Sequence, residues 1–261
     1  MSSKTDERAN QILRLLLSHG KTSVEELTTI VSASPASVRR DLVRLEERGL
    51  VHRTHGGAML ADQAVYEPFR FDASFETRED RFAKEKRRIA AAAAEMIAEG
   101  ETIGFSAGTT TAQVAHLLKH RKRLTIVTNA VNISIELSAS STLNTVLTGG
   151  SLRWPGAFSL VGPTAVESLS AFSMHRVFIG VCGIDAIHGA SIIEPEEAAV
   201  VRAMVRQARH VVVVADSSKA GQCSPAVICP ASQIDLLITD SGISPEVLED
   251  FSRQSIEVLV V

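Results

Sequence analysis

Along the first sixty residues the apolar positions recur at three- and four-residue intervals, and short polar breaks separate the runs. Ile12, Leu13, Leu16 and Leu17 share one face of a first helix, which Gly20 ends. Ser23 with Glu26 three residues later has capping-box spacing and opens a second helix with Leu27, Ile30 and Val31 on its apolar side. After Ser32-Ala33, Ser34 caps a third helix with Pro35 at its first position, and Gly49 closes it. On that helix Val38, Leu42 and Leu45 must face a core. Arg40, Arg44 and Arg48 line another face, with Ser37 and Arg39 beside its N-terminal half. Leu50 to Arg53 reads as a short strand, and Thr54-His55-Gly56-Gly57 as a tight loop.

From Glu85 the texture changes to β-branched runs alternating with helical ones, the pattern of βαβ units in a largely parallel sheet. Strands are expected at 102–105, 124–128, 145–148, 177–181, 211–215, 236–239 and 257–261. Helices are expected at 85–99, 110–118, up to 137, 196–208 and 245–254. Residues 61–84 are charged, aperiodic and hold the single tyrosine, Tyr66, with several phenylalanines. They read as a linker that docks through its aromatic residues. The expected organisation is a winged helix-turn-helix at 1–60, the linker at 61–84, and a Rossmann-like α/β unit at 85–261.

The net charge of −3 rules out a protein that coats nucleic acid with its whole surface, but leaves room for a local basic patch. Two helices joined by a short turn, the second one basic, fit the major groove of double-stranded DNA. Ser34, Ser37, Arg39, Arg40 and Arg44 would meet the DNA from the helix, and Arg53, His55 and Gly56 from the wing. The competing reading is a solvated face in which these arginines pair with Asp41, Glu46 and Glu47. The capped helix pair, the turn length and the wing together favour DNA.

Further candidates follow the predicted strands. Gly108, Thr109, Thr110 and Thr111 form a glycine-bearing turn into a helix, whose free N–H groups suit a phosphate. Asn129, Gly149-Gly150, Arg153, Asp185 and Lys219 follow other strands, and parallel sheets gather these ends at one edge. Arg153 and Lys219 would neutralise a phosphate, and Asn129 and Asp185 would hold sugar hydroxyls. No metal site or cofactor is expected, and Cys182, Cys223 and Cys229 imply no disulfide framework. Charges throughout the first twenty residues argue against a signal peptide, and no apolar run is long enough to span a bilayer, so a cytoplasmic location is expected.

Arg8, Ile12, Leu16, Ser34, Ser37-Val38-Arg39-Arg40-Asp41-Leu42 and Arg53-Thr54-His55-Gly56-Gly57-Ala58 together resemble the DNA-binding signature of the DeoR family of bacterial repressors. Gly108-Thr109-Thr110, Val127-Thr128-Asn129, Gly149-Gly150, Gly162-Pro163, Gly180 to Asp185, Glu197-Ala198 and Ala215 to Lys219 resemble that family's effector domain. The resemblance implies a fold related to ribose-5-phosphate isomerase and the CoA transferases. It also implies a homodimeric or homotetrameric repressor of a sugar or polyol operon, released from its operator by a phosphorylated sugar or polyol. Three positions depart from the family: Ser37 stands where threonine is usual, and Ser106 (placed in the same pocket) and His175 stand where acids are usual. The alternative is an isomerase-like enzyme with an appended DNA-binding domain, using Asp185, Glu194, Glu196, Glu197 and Lys219 for proton transfer. No carboxylates are paired at a spacing that forces an acid/base couple, and fold likeness alone carries no activity, so an enzyme is not expected.

Overall fold

A computed structural model describes residues 8, 9, 11–13, 15, 16, 21–47, 51–54, 56–60, 75–153 and 158–261. The chain divides into two compact units, Met1–Ala73 and Ser74–Val261.

In the first unit the described residues from 8 to 16 are helical, followed by α1 (Val24–Ile30) and α2 (Pro35–Glu47). Ser23 and Glu26 form the expected capping box, which satisfies N–H groups that a helix start would otherwise leave open. Ile12, Leu16, Leu27, Val38, Leu42 and Leu45 close a small core. Ile30 departs from expectation, being 56% exposed, while Leu27 and Val31 pack with the core as expected. A hairpin of β1 (Val51–Thr54) and β2 (Gly57–Leu60) follows, and β2 also pairs with Thr22–Ser23. The paired glycines do different work in this wing. Gly56 has φ +84°, and a Cβ on Gly57 would lie 2.3 Å from the Thr22 carbonyl oxygen.

The second unit opens with α3 (Phe75–Asp80), a helix within the span expected to be linker, and α4 (Ala83–Glu95). Phe75 meets Phe158 edge-on at 5.4 Å between centroids, which is the kind of aromatic docking anticipated for that span. Seven parallel strands follow: β3 (Thr102–Phe105), β4 (Leu124–Thr128), β5 (Leu143–Leu147), β8 (Met174–Ile179), β11 (Ala208–Val214), β13 (Leu236–Thr239) and β14 (Glu257–Val260). They lie in the order β14-β13-β11-β8-β3-β4-β5. β3 and β8 are the central neighbours from which the chain winds outward in both directions, so the switch point lies between them. Alternate residues fill opposite faces. On one side Val212, Val214, Phe105 and Phe178 pack with α4, α5 (Thr109–Leu117) and α6 (Val131–Ser138). On the other, Val211, Val213, Val177 and Ile179 pack with α7 (Pro163–Leu169), α8 (Pro195–Arg206) and α9 (Pro245–Arg253).

Three features were not anticipated. A ribbon joins β6 (Ser151–Arg153) to β7 (Ser159–Val161). A small antiparallel sheet joins β9 (Gly183–Asp185), β10 (Gly189–Ile192) and β12 (Ala226–Cys229). β8 and β11 each begin three residues before the expected starts at 177 and 211, where charged residues such as Arg176, paired with Glu101 at 3.2 Å, and Arg209 interrupt the apolar run. Gly57→Ala should lower the stability of the first unit by about 1–3 kcal/mol, read from denaturant midpoints. An unchanged midpoint would mean that the wing does not need close approach at this point.

Candidate functional site

The polar face of α2 is set by what its other face buries. Val38, Leu42 and Leu45 are 0–1% exposed, which leaves Arg39, Arg40 and Arg44 outward. Asp41, itself buried, holds the Arg8 guanidinium at 2.6 Å and so fastens the leading helix to α2. Ser34 and Ser37 share a hydroxyl contact at 3.0 Å, and Ser34 Oγ accepts the Ser37 N–H, so both hydroxyls help to start the helix. Arg53 is drawn back to Glu46: its backbone N–H donates to the carboxylate at 3.1 Å and its guanidinium pairs with the same group. Gly56 is exposed at the hairpin tip; His55 and Arg48 lie outside the described residues. Arg39, Arg40 and Arg44 therefore form the exposed cationic strip, with Arg44 in a loose 3.9 Å ion pair with Asp41, while Arg53 would have to trade a close ion pair.

In the second unit several predicted donors are already engaged. Ser106 is fully buried beside the switch point, where its hydroxyl accepts the Gly180 N–H at 3.0 Å. Asn129 accepts from the Ala107 N–H and donates to the Leu160 carbonyl, both at 3.1 Å, so its amide ties two loops together. Gly150 is required by close packing, since a Cβ there would lie 2.4 Å from the Val161 carbonyl; Gly149 precedes it in the same turn. Arg153 pairs with Glu194 at 2.7 Å and lies 3.8 Å from Glu197, which also accepts the Ser159 hydroxyl. Asp185 accepts the N–H groups of Ile187 and His188, both at 2.7 Å, and shapes the β9–β10 turn. His175 Nδ1 accepts the Thr102 N–H at 3.0 Å. An imidazole nitrogen thus supplies an acceptor at that position.

What the fold does gather is positive charge. Lys219 follows β11 on a short turn that Asp216 caps by accepting from Ser218. Lys86 on α4 is 5% exposed and donates from Nζ to the Arg78 carbonyl. Burial pushes the Lys86 ammonium down to about 8; Asp216 opposes that shift, and Lys219, Arg78 and Arg81 add to it. Burial lowers Lys219 as well, again against Asp216. Burial likewise lowers Arg78 and Arg81. Four cations therefore share one desolvated region, in which Asp216 acts on Arg81, Lys86 and Lys219, and Glu197 acts on Arg78. Gly108 and the buried Thr109, Thr110 and Thr111 stand at the same carboxyl edge, at the start of α5. A hydrogen bond at 3.0 Å from Gln113 on α5 to Glu79 fixes α3, and with it Arg78, against this edge. Arg78, Arg81 and Lys86 were not foreseen from sequence; the run of charges in 78–88 was the available signal.

The profile of the DeoR C terminal sensor domain matches residues 81–241, and that of the DeoR-like helix-turn-helix domain matches residues 8–64. The chain belongs to the DeoR family. It is 34% identical to the HTH-type transcriptional repressor GlcR of Bacillus subtilis, over 98% of this chain and 96% of that protein. It is 32% identical to the glycerol-3-phosphate regulon repressor of Escherichia coli, over 98% of each. A likeness to ribose 5-phosphate isomerase from Methanocaldococcus jannaschii has a TM-score of 0.39 at 16% identity, covering 53% of this chain and 54% of that one, and is too loose to argue from. This DeoR-family chain is a DNA-binding transcriptional regulator and not an enzyme. Among its described residues no helix is long and apolar enough to cross a membrane.

The depressed Lys86 gives this regulator a pH signature. Below about pH 8 the lysine is protonated whether the chain is folded or unfolded, and the cost of burying the charge is carried in full. Between about 8 and the ordinary 10.5 the folded chain releases the proton while the unfolded chain keeps it, so the cost shrinks. The shift corresponds to a cost on the order of 3 kcal/mol. Lys86→Met should therefore be more stable than the parent at neutral pH by about 1–3 kcal/mol, after loss of one hydrogen bond. The gap should close as the pH rises toward 10.5. Denaturant midpoints across that range test this, and a pH-independent gap would contradict it.

Proposed function

We propose that this DeoR-family regulator represses a sugar or polyol operon and leaves its double-stranded operator when a phosphorylated sugar or polyol binds the second unit. The observation that carries the reading is the group of four cations near Asp216, with Lys86 buried and Arg78, Arg81 and Lys219 half-buried. A dianion can add charge-assisted hydrogen bonds to such a group. A phosphate suits it, and the N-terminus of α5 with Thr109, Thr110 and Thr111 offers further N–H and hydroxyl donors. One relative is named for a glycerol-3-phosphate regulon, which is consistent with a phosphorylated ligand.

On the DNA side, α2 enters the major groove. Ser37, Arg39 and Arg40 approach base edges or phosphates, Arg44 lies along the strip, and Arg53 and Gly56 approach from the wing. A homodimer or homotetramer would present such helices to repeated half-sites. Release requires that the ligand bind the DNA-free arrangement more tightly than the DNA-bound one; its affinity alone shifts nothing.

Gel retardation on DNA upstream of the protein's own gene and its neighbours should show sequence-specific, salt-sensitive binding. Its absence throughout would sink the proposal. Arg40→Ala should weaken operator binding about tenfold or more, while thermal stabilisation by the active sugar phosphate persists; loss of both would make Arg40 structural. Lys219→Ala should keep the parent's operator affinity but need a much higher concentration of sugar phosphate for release. Release unchanged from the parent would remove Lys219 from the pocket.

A further inference from the structure

Away from the cation group, the β9–β10 turn and the segment after Lys219 bring together three side chains of different chemistry. Asp185, His188 and Cys223 each present a ligating atom, and all three atoms lie within 4.8 Å of one another. Their chain segments are pinned in place. The Gly221 N–H donates to the Ile184 carbonyl at 2.8 Å, and a Cβ on Gly183 would lie 2.5 Å from the Gln222 carbonyl oxygen. Ser191 braces the same corner, donating to the Gly183 carbonyl at 3.0 Å and accepting the Ser224 N–H at 2.8 Å.

The donors are also oriented. Asp185 Oδ1 is held by the two turn N–H groups, and His188 Nδ1 lies against both carboxylate oxygens, at 3.2 Å from Oδ1 and 3.1 Å from Oδ2. Cys223 is exposed, as is His188, so a cation reaches both from solvent. When a divalent cation binds, the thiol gives up its proton to solvent, and carboxylate and thiolate together balance two positive charges.

We propose that Asp185, His188 and Cys223 form a binding site for a thiophilic divalent cation of the zinc type, with the fourth tetrahedral position open to solvent. One carboxylate oxygen, one imidazole nitrogen and one thiolate sulfur suit zinc over magnesium or calcium, which take oxygen donors. The bound ion would clip the β9–β10 turn to the segment that follows Lys219. The site does not depend on the proposed effector, and it gives Asp185 a role other than holding a sugar hydroxyl.

Untagged, metal-stripped full-length protein, kept reduced, is titrated with cobalt(II) while the cobalt–thiolate charge-transfer absorption is followed. The expected result is absorption that saturates at one ion per chain and is bleached by zinc. Cys223→Ser should abolish it, and Cys182→Ser with Cys229→Ser should leave it intact. Asp185→Asn keeps an oxygen for the turn N–H groups but removes the charge, and should weaken cobalt binding at least about tenfold. Circular dichroism confirms that each variant is folded; the exposed position of Cys223 makes its serine variant the cleanest. Absence of the absorption in the parent, or its survival in folded Cys223→Ser, would overturn the proposal.

Discussion

Setting buried Lys86 beside the half-buried Lys219, Arg78 and Arg81 brings four like charges into a region that solvates them poorly, with Asp216 and Glu197 among the counter-charges. Mutual repulsion and lost hydration act in the same direction, and the lowered Lys86 ammonium records both. A protein that needed only stability would place methionine or leucine at such a position. The arrangement becomes favourable when an anion enters, because one dianion offsets several cations in a medium of low dielectric. In the proposed reading the fold serves this end. The switch point between β3 and β8 opens the carboxyl edge of the sheet, α5 starts there, β11 delivers Lys219, and α3 and α4 bring the other three cations back across it.

The first unit solves the opposite problem, keeping positive charge in water while fixing its direction. Its core residues decide which side of α2 is hidden, and buried Asp41 uses Arg8 to hold the leading helix on that side. Glu46 restrains Arg53 at the wing strand. Arg39, Arg40 and Arg44 remain exposed, with only the long contacts of Arg44 to Asp41 at 3.9 Å and of Arg40 to the Ala36 carbonyl at 3.4 Å to give up to a polyanion.

The first unit was the more legible in sequence because its determinants are local. A capping box, an N1 proline and an i, i+4, i+7 apolar set each act within a turn or two of helix. The order of strands and helices after residue 100 was legible for the same reason. The family signature was also legible, because it sits on these local motifs. The candidate pocket was less so. Ser106, Asn129 and Arg153 stand at strand ends as ligand donors would, but sequence spacing does not say where a hydrogen bond goes, and the fold engages them with Gly180, Leu160 and Glu194. Arg78 and Arg81 were hidden in a stretch without periodicity. Their role appears when α3 folds back on α5, a contact made far along the chain. Ile30 illustrates the same limit at small scale: its helical phase suits the core, yet the turn after α1 leaves it in solvent.

Binding of a phosphate to the cation group should restore the Lys86 ammonium toward its ordinary value, so binding near pH 8 must take up a proton. Titration calorimetry with the active sugar phosphate, repeated in buffers of different ionisation enthalpy, measures that uptake directly. The account predicts net proton uptake by the parent near pH 8 and a smaller uptake in Lys86→Met. Equal proton uptake by the two proteins would contradict it.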